Sequence, residues 1–189
     1  MIQKTITVET KNVRIRLLSK MLGYIATTNQ HIGFRSDSEG IYVPDFMIQG
    51  MLRTTAETLQ SNLKNKISQF LFIYPRKIYL GKLDPNNVYK QSIKLLTTPG
   101  GPREIIRCTD FIDVNTEIEF QMKLISNKHI TWDFIQCLLD YGKNHGLHST
   151  KAGELQRGIW QEIESEEGSG KFEVIEFSDS VITEISKAA

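Results

Sequence analysis

The chain contains few of the residues that build covalently linked or metal-centred folds. Of its 189 residues only two are cysteines, Cys108 and Cys137. Two cysteines so far apart exclude a disulfide framework and a cysteine zinc site, and their simplest use is as small buried hydrophobic side chains. The four histidines lack metal-ligand spacing, and the sequence contains no phosphate-binding loop, dinucleotide fingerprint or Ser/His/Asp pattern. We therefore expect neither a metal nor a cofactor.

Long hydrophobic runs are also absent. No apolar segment approaches the roughly 20 residues that cross a bilayer, and the first ten residues do not have the pattern of a signal peptide. The hydrophobic fraction of 40% and the charged fraction of 24% are ordinary for a soluble globular protein. We expect one domain, residues 1–189, with a hydrophobic core, in a cytosolic and reducing setting and without a membrane partner.

The net charge of +1 conceals an uneven distribution along the chain. From residue 76 to residue 107 basic side chains predominate, and only Asp84 and Glu104 oppose them. The basic residues of this segment are Arg76, Lys77, Lys82, Lys90, Lys94, Arg103 and Arg107. From residue 154 to residue 184 acidic side chains predominate instead. A basic segment suits a polyanion and an acidic one repels it or contacts a basic neighbour, although both also occur as solvated faces.

Alternation of apolar and polar residues predicts the strands of a half-buried sheet. The predicted strands are residues 5–8, 13–18, 116–125 and 171–177, with a further short element at 181–185. Residues 70–74 and 77–80 are predicted to form one apolar strand that is interrupted at Pro75-Arg76. Residues 20–34 are less regular, which predicts a strand end followed by a loop that reaches Gly40. Residues 84–87, Asp-Pro-Asn-Asn, have the composition of a turn.

Two segments have helical periodicity. The first helix is predicted from Asp45 to about Lys66. The residues that recur on its apolar face are Met47, Met51, Leu52, Ala56 and Leu59. Thr131 is the predicted cap of the second helix, and Gly142 and Gly146 bound its end. The predicted buried face of the second helix holds Phe134, Ile135, Leu138 and Leu139.

Between these helices, residues 89–107 lack helical periodicity, and Thr-Thr-Pro-Gly-Gly-Pro stands at 97–102. Two extended arms joined by such a turn predict a hairpin, which leaves the core as an insertion at about residues 84–108. With the hairpin set aside, the order is strand, helix, two strands, helix, strand. That order predicts an α+β protein with a ferredoxin-like, RRM-like βαββαβ core.

Residues 41–57, IYVPDFMIQGMLRTTAE, have the pattern of a short strand, a proline and a helix. The segment resembles the I-P-G-S-S-L-K-G-x-L-R signature of the RAMP superfamily, the RNA-binding proteins that build CRISPR ribonucleoproteins. The matching residues are Tyr42, Val43, Pro44, Gly50 and Arg53. Asp45 and Phe46 stand where Gly and Ser are usual. A helical glycine costs about 1 kcal/mol relative to alanine, so we expect Gly50 to permit a close approach by another backbone or by a ligand, and we expect Arg53 on the exposed side.

A second segment, from Gly146 to Phe177, resembles the glycine-rich G-L-G-x-x-R-x-x-G-x-G-K-F stretch that RAMP proteins carry before their last strand. The corresponding residues are Gly146, Leu147, Lys151, Gly153, Arg157, Gly158, Gly168, Ser169, Gly170, Lys171 and Phe172. His148 replaces a usual glycine, and an acidic stretch enlarges the loop, which we place at about residues 146–170. Glycine permits close approach to phosphates while Lys and Arg supply charge, so the segment suits nucleic-acid contact. The alternative is a long loop before an edge strand.

Nearly the whole chain also resembles small phage-encoded proteins that have no established activity. The shared residues are Met21-Leu22-Gly23, Pro75-Arg76, Gly101-Pro102-Arg103, Leu139-Asp140-Tyr141-Gly142-Lys143 and Gly146-Leu147. Together the two resemblances imply a single RAMP-like domain in the cytoplasm of a prokaryotic host cell.

The leading hypothesis is a non-catalytic protein that binds single-stranded nucleic acid, RNA favoured, as a subunit of a CRISPR-like or phage ribonucleoprotein. The residues expected to contact phosphate are Lys20, Arg35, Arg53, Arg76, Lys90, Lys94, Arg103, Arg107, Lys151, Arg157 and Lys171. Trp160, beside Arg157, is expected to stack on a base. As the resemblance implies, the hairpin would act as a thumb across the strand, and copies would associate head to tail or with other subunits.

Two other hypotheses stay open. His31, in the predicted loop, occupies the region in which some RAMP endoribonucleases carry a histidine. It would act as general base toward a ribose 2′-hydroxyl while Lys20 or Arg35 stabilises the phosphorane. Metal-dependent backbone subunits place an aspartate there, for which Asp37 is the candidate.

The third hypothesis is an interaction protein that binds or mimics a host ribonucleoprotein subunit, favoured by the acidic tail and by the departures from the two RAMP patterns.

Several aromatic residues are further candidates. Trp132, in the first turn of the second helix, is expected to anchor that helix against the sheet rather than stack on a base. Tyr74, Tyr79 and Tyr89 border the basic segment, where they could stack on bases. The strand spacing of Tyr74 and Tyr79 suits the core equally well.

Overall fold

The computed structural model describes residues 5–28, 30–95, 101, 103–144, 146–147, 170–179 and 181–186. Within these ranges the fold is mixed α+β, with thirteen strands and three α-helices. The strands are β1 (Thr5–Leu17), β2 (Met21–Leu22), β3 (Ile25–Thr28), β4 (His31–Gly33), β5 (Arg35–Asp37), β6 (Gly40–Pro44), β7 (Leu71–Tyr74), β8 (Lys77–Gly81), β9 (Val88–Leu95), β10 (Arg103–Ile112), β11 (Glu117–Ile125), β12 (Phe172–Phe177) and β13 (Val181–Ser186). The helices are α1 (Asp45–Leu59), α2 (Lys64–Phe70) and α3 (Trp132–Gly142). None of these helices is long and apolar enough to cross a membrane.

The central sheet is antiparallel and has the strand order β12–β1–β11–β7. Strand β1 is its longest member. On one side, residues 8–16 of β1 pair with β11, and on the other side the two halves of β1 pair with β13 and β12. The predicted strands 5–8 and 13–18 are therefore parts of one continuous strand.

Alternation decides which face of the central sheet is buried. The buried residues are Ile118, Phe120, Met122 and Leu124 in β11 and Val13, Ile15 and Leu17 in β1. They belong to one hydrophobic core, to which α1 and α3 contribute their apolar faces. The opposite, outer face of the sheet carries mainly polar and charged side chains. The strand predicted at 116–125 is thus confirmed with its buried face.

The first helix is shorter than predicted. Helix α1 ends at Leu59, since the backbone of Gln60 leaves the helical region (φ −156°, ψ 86°), and a turn of 3-10 helix and the separate helix α2 follow. The buried residues of α1 are Ile48, Met51, Leu52, Thr55 and Ala56. Leu59, predicted on this face, is exposed. Gly50 does not serve the close approach of another described backbone segment, because a Cβ there would have no atom of the described residues within 4 Å.

The second helix, α3, agrees with its prediction. The hydroxyl of Thr131 accepts a hydrogen bond from the amide of Phe134 at 3.3 Å. The predicted residues Ile135, Leu138 and Leu139 are buried. A close approach does occur at the end of α3, because a Cβ on Gly142 would lie 2.5 Å from Sδ of Met51. Gly142 therefore lets α3 pack against α1.

Two smaller sheets contain the residues for which the sequence predicts a loop. One sheet has the order β2–β10–β4–β3, with β9 also paired with β10, and the other has the order β5–β6–β8. The prediction of a loop within residues 20–34 is wrong, since β2, β3 and β4 lie there. A Cβ on Gly23 would lie 2.8 Å from Cα of Gly33. Glycine at position 23 thus allows two backbone segments to cross closely.

The hairpin predicted at 89–107 is confirmed as a pair of strands. Strands β9 and β10 are antiparallel, with Lys90 opposite Cys108. Its predicted turn, and the enlarged loop predicted at 146–170, lie largely outside the described residues. The turn predicted at 84–87 is present, with the amide of Asn87 donating to the carbonyl of Asp84 at 2.9 Å. The segments predicted as one interrupted strand, β7 and β8, belong to different sheets.

Candidate functional site

The hairpin, β9 with β10, carries four of the predicted phosphate contacts. Lys90 is exposed and Arg107 is half-buried, while Lys94 and Arg103 stand on the paired strands toward the turn. Strand β10 also pairs with β4 and β2 near its end, whereas residues 103–107 pair only with β9 among the described strands. The turn end of the hairpin is therefore a two-stranded ribbon that extends past its sheet.

The ribbon exposes apolar groups as well as charges. Ile106 is 62% exposed, and the Ser92 hydroxyl donates to the Glu104 carboxylate across the ribbon. Nη1 of Arg107 is buried and has no hydrogen-bond partner among the described residues. A buried donor without a partner is costly, so an acceptor oxygen from a ligand would satisfy this guanidinium.

A second group of candidates lies on the outward face of the sheet β5–β6–β8. Arg35 stands opposite Tyr42, and Tyr42 stands opposite Tyr79, so a cation and two aromatic rings form a row across three strands. The rings of Tyr42 and Tyr79 meet edge to face, with centroids 5.7 Å apart. Arg35 also lies 5.6 Å from the ring centroid of Phe46, which is 54% exposed. We call the surface formed by Arg35, Tyr42, Phe46 and Tyr79 the tyrosine face.

Asp37 borders the tyrosine face and is bound by two neighbours. Its Oδ2 lies 2.6 Å from Nζ of Lys77 and accepts a hydrogen bond from the Tyr79 hydroxyl at 2.9 Å. The hydrogen bond from Lys77, and next the one from the amide of Glu39, lower the pKa of Asp37. Asp37 thus acts as an ion-pair partner. In the described part of the chain no group of three or more His, Cys, Asp and Glu side chains is placed to hold a metal ion.

His31 lies in strand β4, not in a loop as predicted, and it pairs with a carboxylate. Nε2 of His31 is 2.6 Å from Oδ1 of Asp110. Asp110 is buried, whereas the His31 side chain is 38% exposed. Gly33 makes room for the pair, because a Cβ there would lie 2.8 Å from Oδ2 of Asp110. The structure therefore joins a buried acid to an imidazole that solvent can reach.

Asp110 is the candidate that sequence reasoning missed. The predicted hairpin ends at residue 107, so nothing placed Asp110 on a strand next to the core. A usable signal does exist, because aspartate is almost never fully buried unless it is paired. An aspartate between the apolar residues Ile106 and Ile112 of one strand is a position at which to look for a partner.

The structure brings Lys90 to the face that holds His31. Lys90 pairs with Cys108, and Cys108 pairs with His31 on β4. Directly paired residues share a face of a sheet, and neighbouring strands lie about 4.8 Å apart. Lys90 is thus a predicted phosphate contact that shares this face with the imidazole.

Lys20, in contrast, lies on the other side of this sheet. Its Nζ is 4.4 Å from the ring centroid of Phe111, which follows Asp110 in the chain and so points to the opposite face. The amide of Lys171 donates to the Ser19 hydroxyl at 2.9 Å. The chain segments that carry Lys20 and Lys171 are therefore neighbours, whereas the side chain of Lys20 lies on the opposite face of the sheet from His31.

Of two further predicted cations, Arg53 lies within α1 and Arg76 lies beside its first residue. Arg53 is half-buried rather than exposed, and its Nε has no partner among the described residues. One turn earlier, the side chain of Gln49 donates to the carbonyl of Leu71 at 2.9 Å, so this side of α1 faces β7. Arg76 is exposed, and its carbonyl accepts a hydrogen bond from the amide of Asp45 at 3.0 Å, at the start of α1.

The outer face of the central sheet carries carboxylates rather than any predicted phosphate contact. Each of two arginines contacts two or more glutamates there at 2.9–3.6 Å. We call this cluster the glutamate network, and its members are Arg14, Arg16, Glu117, Glu119, Glu173 and Glu176. A depression of about 380 Å³ beside it is lined partly by Asn12, Pro75 and Gln121. Carboxylates outnumber guanidinium groups in the network, so this surface repels phosphate.

Trp132 anchors α3 to the sheet, as predicted. Its Nε1 donates to a carboxylate oxygen of Glu9 at 2.7 Å, and its ring meets that of Phe177 edge to face at 5.8 Å.

Tyr74 and Tyr79 are 40% and 38% exposed, so the interpretation that they belong to the core is wrong.

Other predicted residues fall outside these surfaces. Lys151, Arg157 and Trp160 lie outside the described residues. Cys108 is half-buried and Cys137 is exposed, which corrects the expectation that both are buried.

No family model and no curated protein matches the chain. Its fold, in contrast, is similar to chains of solved structures. One belongs to a cryo-electron-microscopy structure of the type III-B Cmr-beta bound to cognate target RNA, with a TM-score of 0.54 and 13% identity over 92% of this chain and 61% of that one. Another belongs to the crystal structure of the Csm3-Csm4 subcomplex of the type III-A CRISPR-Cas interference complex, with a TM-score of 0.43 and 14% identity over 99% and 83%.

This chain spans less than two thirds of the length of the first of those chains. At 13% identity the likeness concerns the fold. The chain therefore has a mixed α+β fold similar to that of a chain in a type III-B complex.

Proposed function

We propose that the protein binds single-stranded nucleic acid, with RNA favoured, as a non-catalytic subunit of a CRISPR-like or phage ribonucleoprotein. The observation that carries the proposal is the hairpin, a two-stranded ribbon in a basic segment that leaves Lys90 exposed. Phosphate contacts from such a ribbon give affinity with little sequence preference. The similar fold of a chain in a complex bound to target RNA supports the proposal.

We place the ribbon on a ferredoxin-like core. The order β12–β1–β11–β7 corresponds to the fourth, first, third and second strands of a βαββαβ unit whose helices are α1 and α3. The hairpin enters between the second and third of these strands. An isolated two-stranded hairpin is marginally stable in water. We therefore propose that the ribbon acts as a thumb, which the bound strand orders.

The distribution of charge supports a path for the strand along the two smaller sheets. Arg35, Arg76 and Lys90 are exposed there. The glutamate network occupies the outer face of the central sheet, where it repels phosphate. A strand that follows the cations thus passes the tyrosine face and the hairpin.

We also propose that copies associate head to tail. The basic ribbon of one copy would contact the glutamate network of the next, since their charges are complementary. A heterologous contact of this kind propagates into rings or helical filaments. Exposed charges are screened beyond about 10 Å at 0.1 M salt, so salt should weaken the assembly.

Filter binding of a labelled single-stranded RNA at a series of salt concentrations tests the binding function. We expect the affinity to fall steeply as the salt concentration rises. In a plot of the logarithm of the binding constant against the logarithm of the salt concentration, each phosphate contact on a single strand should contribute about 0.7 to the downward slope. The double variant Arg76→Gln/Lys90→Gln should bind more weakly with a shallower slope. Lys66→Gln/Lys128→Gln, which removes two cations elsewhere, is the matched control. Absent binding at low salt, or a flat slope, contradicts the proposal.

The His31–Asp110 pair favours a second function, a metal-independent endoribonuclease. Asp110 next to Nε2 would hold His31 in the tautomer whose Nδ1 is free to act as a base. Nδ1 would take the proton of a ribose 2′-hydroxyl, whose oxygen attacks the adjacent phosphorus and expels the 5′-oxygen of the next nucleotide. The product would carry a 2′,3′-cyclic phosphate. Lys90, on the same face, would stabilise the phosphorane.

Incubation with structured and unstructured RNA, first without metal and then with magnesium, separates the two functions. An endoribonuclease should lose cleavage in His31→Ala while RNA binding survives. RNA that stays intact in every condition eliminates the second function and leaves the first.

A further inference from the structure

The small sheet β5–β6–β8 is fixed on the core by one face and is open on the other. Ile41, Val43 and Ile78 are buried, so the strands that carry them cannot shift without losing core contacts. Tyr42 and Tyr79 alternate with these residues and point outward. The outward face therefore holds aromatic rings on paired strands rather than on a loop.

Two cations, Lys77 and Arg35, lie beside these rings, and Arg35 is the one that is available to bind a ligand. Lys77 lies 5.0 Å from the ring centroid of Tyr42, but its ammonium is paired with Asp37 at 2.6 Å. Arg35 forms no ion pair with another described residue, and it lies over the ring of Phe46. A guanidinium on an aromatic ring is a planar donor that can bind two phosphate oxygens at once.

We propose that the tyrosine face stacks an unpaired nucleobase of the bound strand and that Arg35 contacts the phosphate beside that base. This inference rests on the proposed function and names the part of the nucleic acid that this surface recognises. Stacking on aromatic side chains accepts any base, because every base has a π face. The bases of a duplex are already stacked on each other, so the surface selects single strands.

Fluorescence anisotropy with two labelled strands of equal length separates base contacts from backbone contacts. One strand is an oligouridine RNA and the other is an abasic ribose-phosphate strand. Wild-type protein should bind the oligouridine about 5- to 150-fold more tightly for one stacked base. Tyr79→Leu should lose this preference. Tyr79→Phe, which keeps the ring and loses the hydrogen bond to Asp37, should retain it.

Phe72→Leu is the matched control, because Phe72 is similarly exposed but lies on β7 in the central sheet. It should bind both strands as wild type does. Equal binding of the two strands by wild-type protein, or an unchanged preference in Tyr79→Leu, overturns the stacking site and leaves the proposed function standing. Absent binding of both strands overturns the two together.

Photo-crosslinking of RNA that contains 4-thiouridine adds a measurement that uses wild-type protein alone and so does not depend on the folding of a variant. The crosslinked peptides of wild-type protein are identified by mass spectrometry. Crosslinks at Tyr42, Phe46 or Tyr79 support the stacking site. Crosslinks confined to other surfaces overturn it.

Discussion

Nε2 of His31 lies 2.6 Å from Oδ1 of Asp110, although 79 positions separate the two residues in the sequence. The contact joins a short strand that follows β1 to a strand that ends the hairpin. It therefore ties the base of the hairpin to the rest of the fold, whatever further role the imidazole has.

His31→Ala should destabilise the protein. It leaves the buried Asp110 carboxylate without this partner, and a buried group left unsatisfied costs about 1–3 kcal/mol. Urea unfolding of the variant and of wild type measures the difference in the free energy of unfolding. His129→Ala, which removes an exposed histidine, is the control and should change it little. Equal losses in both variants would contradict the role of the pair.

Two glycine-to-alanine variants should have opposite effects. In Gly142→Ala the new Cβ would lie 2.5 Å from Sδ of the buried Met51, and such overpacking costs about 1–3 kcal/mol. In Gly50→Ala the new methyl group meets no described atom within 4 Å, so removal of a helical glycine should stabilise by about 0.5–1 kcal/mol. Thermal and urea unfolding rank the two variants against wild type. The reverse order would show that α1 and α3 do not pack at Gly142.

The Asp37–Lys77 pair should make stability depend on pH in acid. The pKa of Asp37 is lowered in the folded state, chiefly by the hydrogen bond from Lys77. The contribution of this group is therefore present above its unfolded pKa and is lost as pH falls through the lower folded pKa. Lys77→Gln should raise the pKa of Asp37 toward its ordinary value, as read from an NMR titration of its carboxyl carbon.

The difference in the free energy of unfolding between wild type and Lys77→Gln should also become smaller as the solution becomes more acidic. Lys82→Gln, in the same basic segment and exposed, is the control and should leave the titration of Asp37 unchanged. An Asp37 pKa that is identical in wild type and Lys77→Gln would refute the assignment.

Replacement of residues 92–104 by a short Gly-Ser turn should abolish self-association. The hairpin contributes little to the core, since residues 103–107 pair only with β9 among the described strands, so the domain should stay folded. Light scattering with and without oligonucleotide measures the assembly. Wild type should form a concentration-dependent oligomer that single-stranded nucleic acid promotes. A monodisperse wild-type monomer in both conditions, or an oligomer indifferent to the replacement, would contradict the thumb.

Regular patterns in the sequence predicted the elements that extend over several turns or pleats. Strand β11 alternates over nine residues, and its buried face was predicted from that alternation. The hydroxyl cap at Thr131 marks the start of α3. In both cases the local preference and the tertiary packing agree, because one face of each element meets the core.

The sequence could not predict the short strands or the contacts between distant residues. Strands of two to four residues, such as β2, β3 and β4, are too short to show a period. The break at Gln60 has no Pro or Gly to mark it. The partners of His31 and Asp37 stand 79 and 40 positions away, and they became visible only when strand pairing was known.

Strand β1 pairs on one side with β11 and on the other with both β12 and β13. The first described strand is therefore completed by the last two, and on the ribosome one of its edges stays unpaired until residue 186 has been made. Pairing across such separations is slow, and an open strand edge invites pairing with another nascent chain. The yield of protein in cells should accordingly depend on chaperone supply and on growth temperature more steeply than the stability of the finished fold would indicate.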